Sequence, residues 1–147
     1  MSKKIVIGSD HAGFDYKQEI VSQLKSAGYE VIDVGCYDKN SCDYPIIAQT
    51  VAKRVASGEF EKGILICGTG IGMSIAANKV RGIRAALCPD EFSARATREH
   101  NDSNILCLGA RVIDVNLARK IVEIWLETPF SNLEKHKKRI SMIEGDK

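Results

Sequence analysis

Short apolar, β-branched runs alternate along the chain with longer stretches in which apolar residues recur every three or four positions. Lys4 to Gly8 predicts a first strand. Between Asp15 and Ala27, the residues Tyr16, Ile20, Leu24 and Ala27 fall on one helical face, and Gly28 stands where glycine commonly ends a helix. Glu30 to Gly35 predicts a second strand, and Pro45 opens a helix whose Ile47, Val51 and Val55 share a face. Gly63 to Cys67 reads Gly-Ile-Leu-Ile-Cys, continuously apolar as a strand buried on both faces should be. A glycine-rich turn follows, then a helix over about Ile71 to Asn78. Ile83 to Leu87 and Ile105 to Leu108 predict two further strands, separated by a helix near Phe92 to Glu99. Asp114 can cap a long helix that turns Ala118, Ile121, Val122 and Trp125 inward and ends at Thr128-Pro129. A last helix is expected from about Asn132 to Ile143.

Strand and helix thus alternate about five times. That pattern implies right-handed βαβ units and a five-stranded parallel sheet covered on both faces, an α/β chain of three layers in one domain over 1–147. In such doubly wound sheets ligands bind beyond the carboxyl ends of the strands. Residues 8–11, 35–44, 67–74, 88–90 and 109–111 are therefore the places to look for chemistry.

Composition narrows the classes. A chain of 147 residues with 44% apolar residues can bury a real core, which excludes a disordered binding segment. The net charge is only +2, and Lys and Arg are scattered until a cluster at 135–139, so no nucleic-acid or membrane surface is indicated. No apolar run approaches the roughly 18 residues of a membrane helix, and the start, Met-Ser-Lys-Lys, precedes a strand rather than a signal-peptide core. The five cysteines, at 36, 42, 67, 88 and 107, show no Cys-x-x-Cys spacing. We expect a reduced, cytoplasmic protein with no zinc or dithiol centre, in which Cys36, Cys42, Cys88 and Cys107 are inert.

The densest local signal is Cys67-Gly-Thr-Gly-Ile-Gly-Met-Ser74. Three glycines in five positions let the backbone approach a ligand, and the helix behind them offers free N–H groups and a positive dipole end to an anion. Many α/β proteins use such a turn for packing alone. A Walker loop needs Gly-x-x-x-x-Gly-Lys, but Gly68 is followed five places later by Met73 with no Lys after it, and a Cys-x5-Arg phosphatase would need Arg at 73. The dinucleotide fingerprint needs Gly-x-Gly-x-x-Gly, whereas here the order is Gly68-x-Gly70-x-Gly72. What remains is a cysteine ending a strand just before a helix N-terminus, a place that favours the thiolate. A thiolate there can remove a proton while neighbouring N–H groups hold the oxyanion that forms. An inert buried thiol is the competing reading.

Other residues gather at the same kind of place. Ser9-Asp10-His11 follows the first strand, where Asp10 can meet sugar hydroxyls and His11 a phosphate, or the Asp can simply cap a turn. The Asp43-Tyr44-Pro45 turn can present a ring or hydroxyl, and Arg111 lies just past the strand at 105–108. His100-Asn101-Asp102 precedes that strand. Lys135 and Arg139 share a helix face able to clamp a phosphate dianion, or to be merely solvated. His136 is expected to be solvated.

Taken together, Ser9-Asp10-His11-Ala-Gly13, Asp43-Tyr44-Pro45, the 67–79 stretch, Arg98-Glu-His100-Asn101-Asp102 and Leu108-Gly-Ala-Arg111 resemble ribose-5-phosphate isomerase type B, a family grouped with galactose-6-phosphate isomerase subunits. The resemblance runs in order from residue 4 to about 140. It implies a Rossmann-like α/β/α fold, no metal or organic cofactor, and a homodimer or tetramer with active sites between subunits. It further implies interconversion of ribose 5-phosphate and ribulose 5-phosphate through an enediolate, in the pentose phosphate pathway.

Carried over by residue, the resemblance makes Cys67 the base between C2 and C1. The backbone of Gly68, Thr69, Gly70, Ile71 and Gly72, with Ser74 near, would hold the enediolate oxygen. His100 with Thr69 would open the furanose ring, Asp10 and Asn101 would bind sugar oxygens, and Tyr44 would lie close by. His11, Arg111 and Arg139 would hold phosphate, with the 100–111 and 135–139 groups and the last helix directed toward a partner subunit. Lys135 stands where many relatives carry a second phosphate-binding Arg, and offers a point charge in place of a fork. Relatives that lack the Cys use a Glu in the turn; here Ser74 and no acid follows, which supports Cys67. The rival substrates are six-carbon phosphosugars, galactose 6-phosphate or allose 6-phosphate. A rival of another class is a non-catalytic module that binds a phosphorylated ligand.

Overall fold

The apolar runs form strands because their side chains can be buried on both faces at once. In a computed structural model, which describes residues 3–37, 40 and 42–145, the strands are β1 (Lys4–Ser9), β2 (Glu30–Asp33), β3 (Lys62–Cys67), β4 (Ala85–Leu87) and β5 (Ile105–Gly109). They pair in parallel in the order β2-β1-β3-β5-β4. Part of the 35–44 stretch, residues 38, 39 and 41, lies outside the described residues.

Helices α1 (Phe14–Ser26), α2 (Tyr44–Ala56), α3 (Ile71–Asn78), α4 (Glu91–Ala96), α5 (Val115–Glu127) and α6 (Glu134–Glu144) join these strands. The expected α/β architecture and all-parallel five-stranded sheet are present. On one face Ile5, Ile7, Ile64, Ile66, Leu106 and Leu108 pack with Ile20, Leu24, Ile121 and Trp125 of α1 and α5. On the other, Val6, Leu65, Cys67 and Cys107 pack with Val51 and Val55 of α2 and Met73 and Ala77 of α3. Strand alternation sends neighbouring residues to opposite layers, so Cys67 belongs to the α2–α3 side.

Element ends follow local chemistry. Asp114 caps α5 by accepting the Leu117 N–H at 2.8 Å, as expected. Gly28 has φ +91°, and the Tyr29 N–H reaches back to the Leu24 carbonyl, closing α1. Ala27, expected inward, is exposed beyond the end of α1, and Lys17 is buried in its stead. The Lys17 ammonium donates to Asp33 at 2.9 Å and to the Cys36 carbonyl, which compensates its burial. The helix expected near Phe92 to Glu99 is α4 followed by a π-helical turn, Thr97–Asn101.

Cys36 and Cys42 correct the expectation of isolated, reduced cysteines: they are joined in a disulfide, with Cα atoms 6.5 Å apart. Their spacing along the chain does not advertise this proximity. Cys67, Cys88 and Cys107 are free and buried.

Candidate active site

The sheet order reverses direction between β1 and β3, which opens a crevice at their carboxyl ends. Ser9 pairs with Ile66 in register, so Asp10 and Cys67 emerge side by side from adjacent strands. Asp10 is buried; its N–H donates to the Ile66 carbonyl at 3.1 Å, and its carboxylate accepts the Gly13 N–H at 3.0 Å. A Cβ at Gly13 would lie 2.6 Å from the Ile66 carbonyl oxygen, so glycine lets the first loop close onto the third strand.

The glycine-rich turn wraps the Cys67 sulfur. The Gly70 N–H donates to Sγ at 3.1 Å, and the Ile71 N–H donates to Thr69 Oγ1 at 3.2 Å. Ser74 is the first residue to close a helical bond, to the Gly70 carbonyl, so the N–H groups of Gly72 and Met73 have no helical acceptor. Gly70 is required at φ +81°, and Gly72 because the Tyr44 ring would lie 2.5 Å from a Cβ there. Tyr44 therefore rests directly on the turn. The Ser74 hydroxyl donates back to the Ile71 carbonyl at 2.9 Å and sits on the first turn of α3.

Arg111 departs from expectation. Its N–H donates to the Gly68 carbonyl at 2.8 Å, and its guanidinium lies over Gly68, so this cation joins the Cys67 cluster of its own chain. His11 flanks the same cluster, its Nδ1 accepting the Cys42 N–H at 3.5 Å.

His100 and Asn101 lie elsewhere. They sit on the π-helical turn before β5, and β5 runs parallel to β3 with Ile105 opposite Gly63 and Gly109 opposite Cys67. His100 is thus at the amino-terminal end of the sheet and Cys67 at the carboxyl end, about 13 Å apart along the strands alone at ~3.3 Å per residue. Thr69 is correspondingly not beside His100 within one chain. A cavity of about 330 Å³ gathers His100, Asn101, Lys135, His136 and Arg139, so the α6 cations lie at the imidazole. The candidate residues thus fall into two groups facing different ends of the sheet.

Two features escaped the sequence reading. His136 is buried, not solvated, with its ring against His100. Arg98, also buried, anchors the His100 turn by donating to Asp102 at 2.8 Å, to the Ser103 carbonyl at 2.6 Å and to the Thr128 carbonyl at 3.2 Å. Only the helical spacing of Arg98 and Asp102, four apart, hinted at this. Among the described residues no cluster of three or more His, Cys, Asp or Glu could hold a metal, and no helix is long and apolar enough to cross a membrane.

The ribose/galactose isomerase family matches residues 5–143. The chain belongs to that family. Within it, a Bacillus subtilis chain, YwlF, named for sugar-phosphate isomerisation without a stated sugar, is 55% identical over 95% of this chain and 94% of its own length. Ribose-5-phosphate isomerase B of Escherichia coli is 49% identical over 96% of this chain and 94% of its own. Among solved structures, ribose-5-phosphate isomerase B of Clostridium thermocellum superposes with a TM-score of 0.94 at 53% identity, covering 96% of this chain and 95% of that one. The Mycoplasma genitalium isomerase, 40% identical with a TM-score of 0.91 over 96% and 93% of the two chains, was solved with bound ribulose 5-phosphate. The chain is accordingly a sugar-phosphate isomerase of this family.

Proposed function

We propose that this isomerase interconverts D-ribose 5-phosphate and D-ribulose 5-phosphate in the cytoplasmic pentose phosphate pathway, with Cys67 as the base. The observation that carries the reading is the Gly70 N–H held 3.1 Å from the Cys67 sulfur at the open end of α3. The Cys67 thiolate takes the proton from C2 of the open-chain aldose and returns it to C1, while the hydroxyl proton moves from O2 to O1. The intermediate is an enediolate whose oxygen needs fixed donors. The free N–H groups at the start of α3 supply them without reorganising as charge develops. Asp10 holds a sugar hydroxyl, Tyr44 borders the pocket, and His11 and Arg111 receive the phosphate end.

His100, for ring opening, and Asn101, Lys135 and Arg139 complete the site from a second copy of the chain. Two observations support that arrangement. The half-sites open at opposite ends of one sheet, and Ile46, Ile71 and Ile75 stand 50–63% exposed around the Cys67 turn, an apolar rim suited to a protein partner.

A second reading, isomerisation of a six-carbon phosphosugar, is favoured by Lys135, whose point charge grips a phosphate less directionally than an Arg fork. The deciding experiment is a panel of ribose 5-phosphate, allose 6-phosphate and galactose 6-phosphate with the purified protein. Highest kcat/KM on the ribose substrate is expected; a higher value on either six-carbon sugar would overturn the choice.

A further inference from the structure

The first residue of α6 to be buried is a histidine, in a helix that is otherwise among the most polar of the chain. His136 retains 7% of its exposure, whereas its neighbours Lys135, Lys137 and Lys138 face solvent. Its ring centroid lies 4.6 Å from that of His100 at an interplanar angle of 38°, with Phe130 on the same ring at 6.5 Å. His136 Nδ1 is 2.5 Å from the Ser131 hydroxyl, and that oxygen also accepts the Leu133 N–H at 3.1 Å. The Ser131 N–H in turn donates to the carbonyl of Glu99, the residue before His100. A closed circuit therefore runs from the His100 turn through Ser131 to His136 and back to His100 by ring contact.

We propose that His136 is a positioning residue for His100: it fixes the plane in which the exposed His100 imidazole meets the sugar ring. The assignment rests on His100 serving ring opening, as proposed above. The geometry explains why an exposed imidazole on a π-helical turn would hold one orientation. One side of His100 is backed by a buried ring, that ring is pinned through Nδ1, and the pin is tied to the backbone of Glu99, the preceding residue. Burial, His100, Lys135 and Arg139 all hold His136 below the usual imidazole range, outweighing Glu99. A neutral backing ring places no second cation against His100.

The test combines kinetics with imidazole NMR on the full-length protein. His136→Ala should lower kcat on cyclic ribose 5-phosphate about ten- to hundredfold, the scale of a misplaced catalytic group. It should leave KM nearly unchanged, because Lys135 and Arg139 remain. His136→Phe, which keeps a flat ring against His100, should recover most of that loss. In a His100→Asn background, His136→Ala should cost nothing further. The His100 ring signals should shift in His136→Ala and in Ser131→Ala, a variant that removes only the pin. A raised KM with unchanged kcat, an additive loss in the His100→Asn background, or unmoved His100 signals would each overturn the assignment while leaving the isomerase reading intact. Normal turnover of cyclic substrate by His100→Asn alone would instead remove the ring-opening role of His100 and this assignment with it.

Discussion

The Gly70 N–H meets the Cys67 sulfur at 3.1 Å, so the residue that ends β3 is held by the turn that begins α3. Replacing the sulfur should leave that turn standing. Cys67→Ala is expected to bind phosphosugar almost normally and to lose roughly 10³-fold or more in kcat, the scale of removing a general base. Isomerisation by the variant at the native rate would exclude Cys67 as the base; calorimetric titration with ribose 5-phosphate reports the binding half.

Disturbing the turn should be worse for the fold than removing the thiol. A Cβ at position 70 would stand 2.4 Å from Leu87 Cδ1 and 2.9 Å from the Leu108 carbonyl carbon, at φ +81°. Gly70→Ala should therefore cost about 2 kcal/mol or more in stability and reduce activity as well. Denaturant melts of the two variants should rank Cys67→Ala well above Gly70→Ala.

Thiol labelling should be selective. Burial, and secondarily Asp90, push the Cys88 thiol up to about 12, while complete burial, with Cys67 and Cys88 near, pushes Cys107 up as well. Neither forms thiolate at pH 8. Iodoacetamide at that pH should label Cys67 ahead of both and abolish activity in proportion, with phosphosugar protecting; peptide mapping that finds Cys88 or Cys107 labelled first would contradict this.

Reduction of the Cys36–Cys42 disulfide should reach the substrate through His11. The Cys42 N–H is the hydrogen-bond donor to His11 Nδ1, so freeing that stretch releases the imidazole assigned to phosphate. A dithiol reductant should raise KM several-fold while kcat changes little, and thiol counting in denaturant should rise by two. Identical KM before and after complete reduction would break the link.

The depressed His136 predicts a pH dependence of stability with a definite sign. In the unfolded chain the imidazole takes up a proton near pH 6.5, whereas in the folded chain burial, His100, Lys135 and Arg139 resist it, against Glu99 alone. Stability is therefore full above about 6.5 and falls as the pH drops below it, since the unfolded state then binds more protons. Melting temperatures between pH 7.5 and 5.5 should decline less steeply in His136→Phe than in the parent chain; parallel slopes would argue against a buried neutral His136.

The strands of the sheet were legible because Gly63 to Cys67 and Ile105 to Leu108 are short and continuously apolar, as strands buried on both faces are. The start of α3 at Ile71 was legible from the glycines before it. The thiol at position 67 could be singled out because its neighbours, not its own side chain, mark the start of a helix. Tertiary structure decided the rest. Lys17 is buried because Asp33 at the end of β2 and the Cys36 carbonyl just after it arrive beside its ammonium, and His136 because Ser131 and His100 close around it. Burial of a polar group depends on partners brought by the fold, which periodicity along one helix does not record. The separation of Cys67 from His100 likewise follows from parallel pairing of β3 with β5, which places one residue at each end of the same sheet.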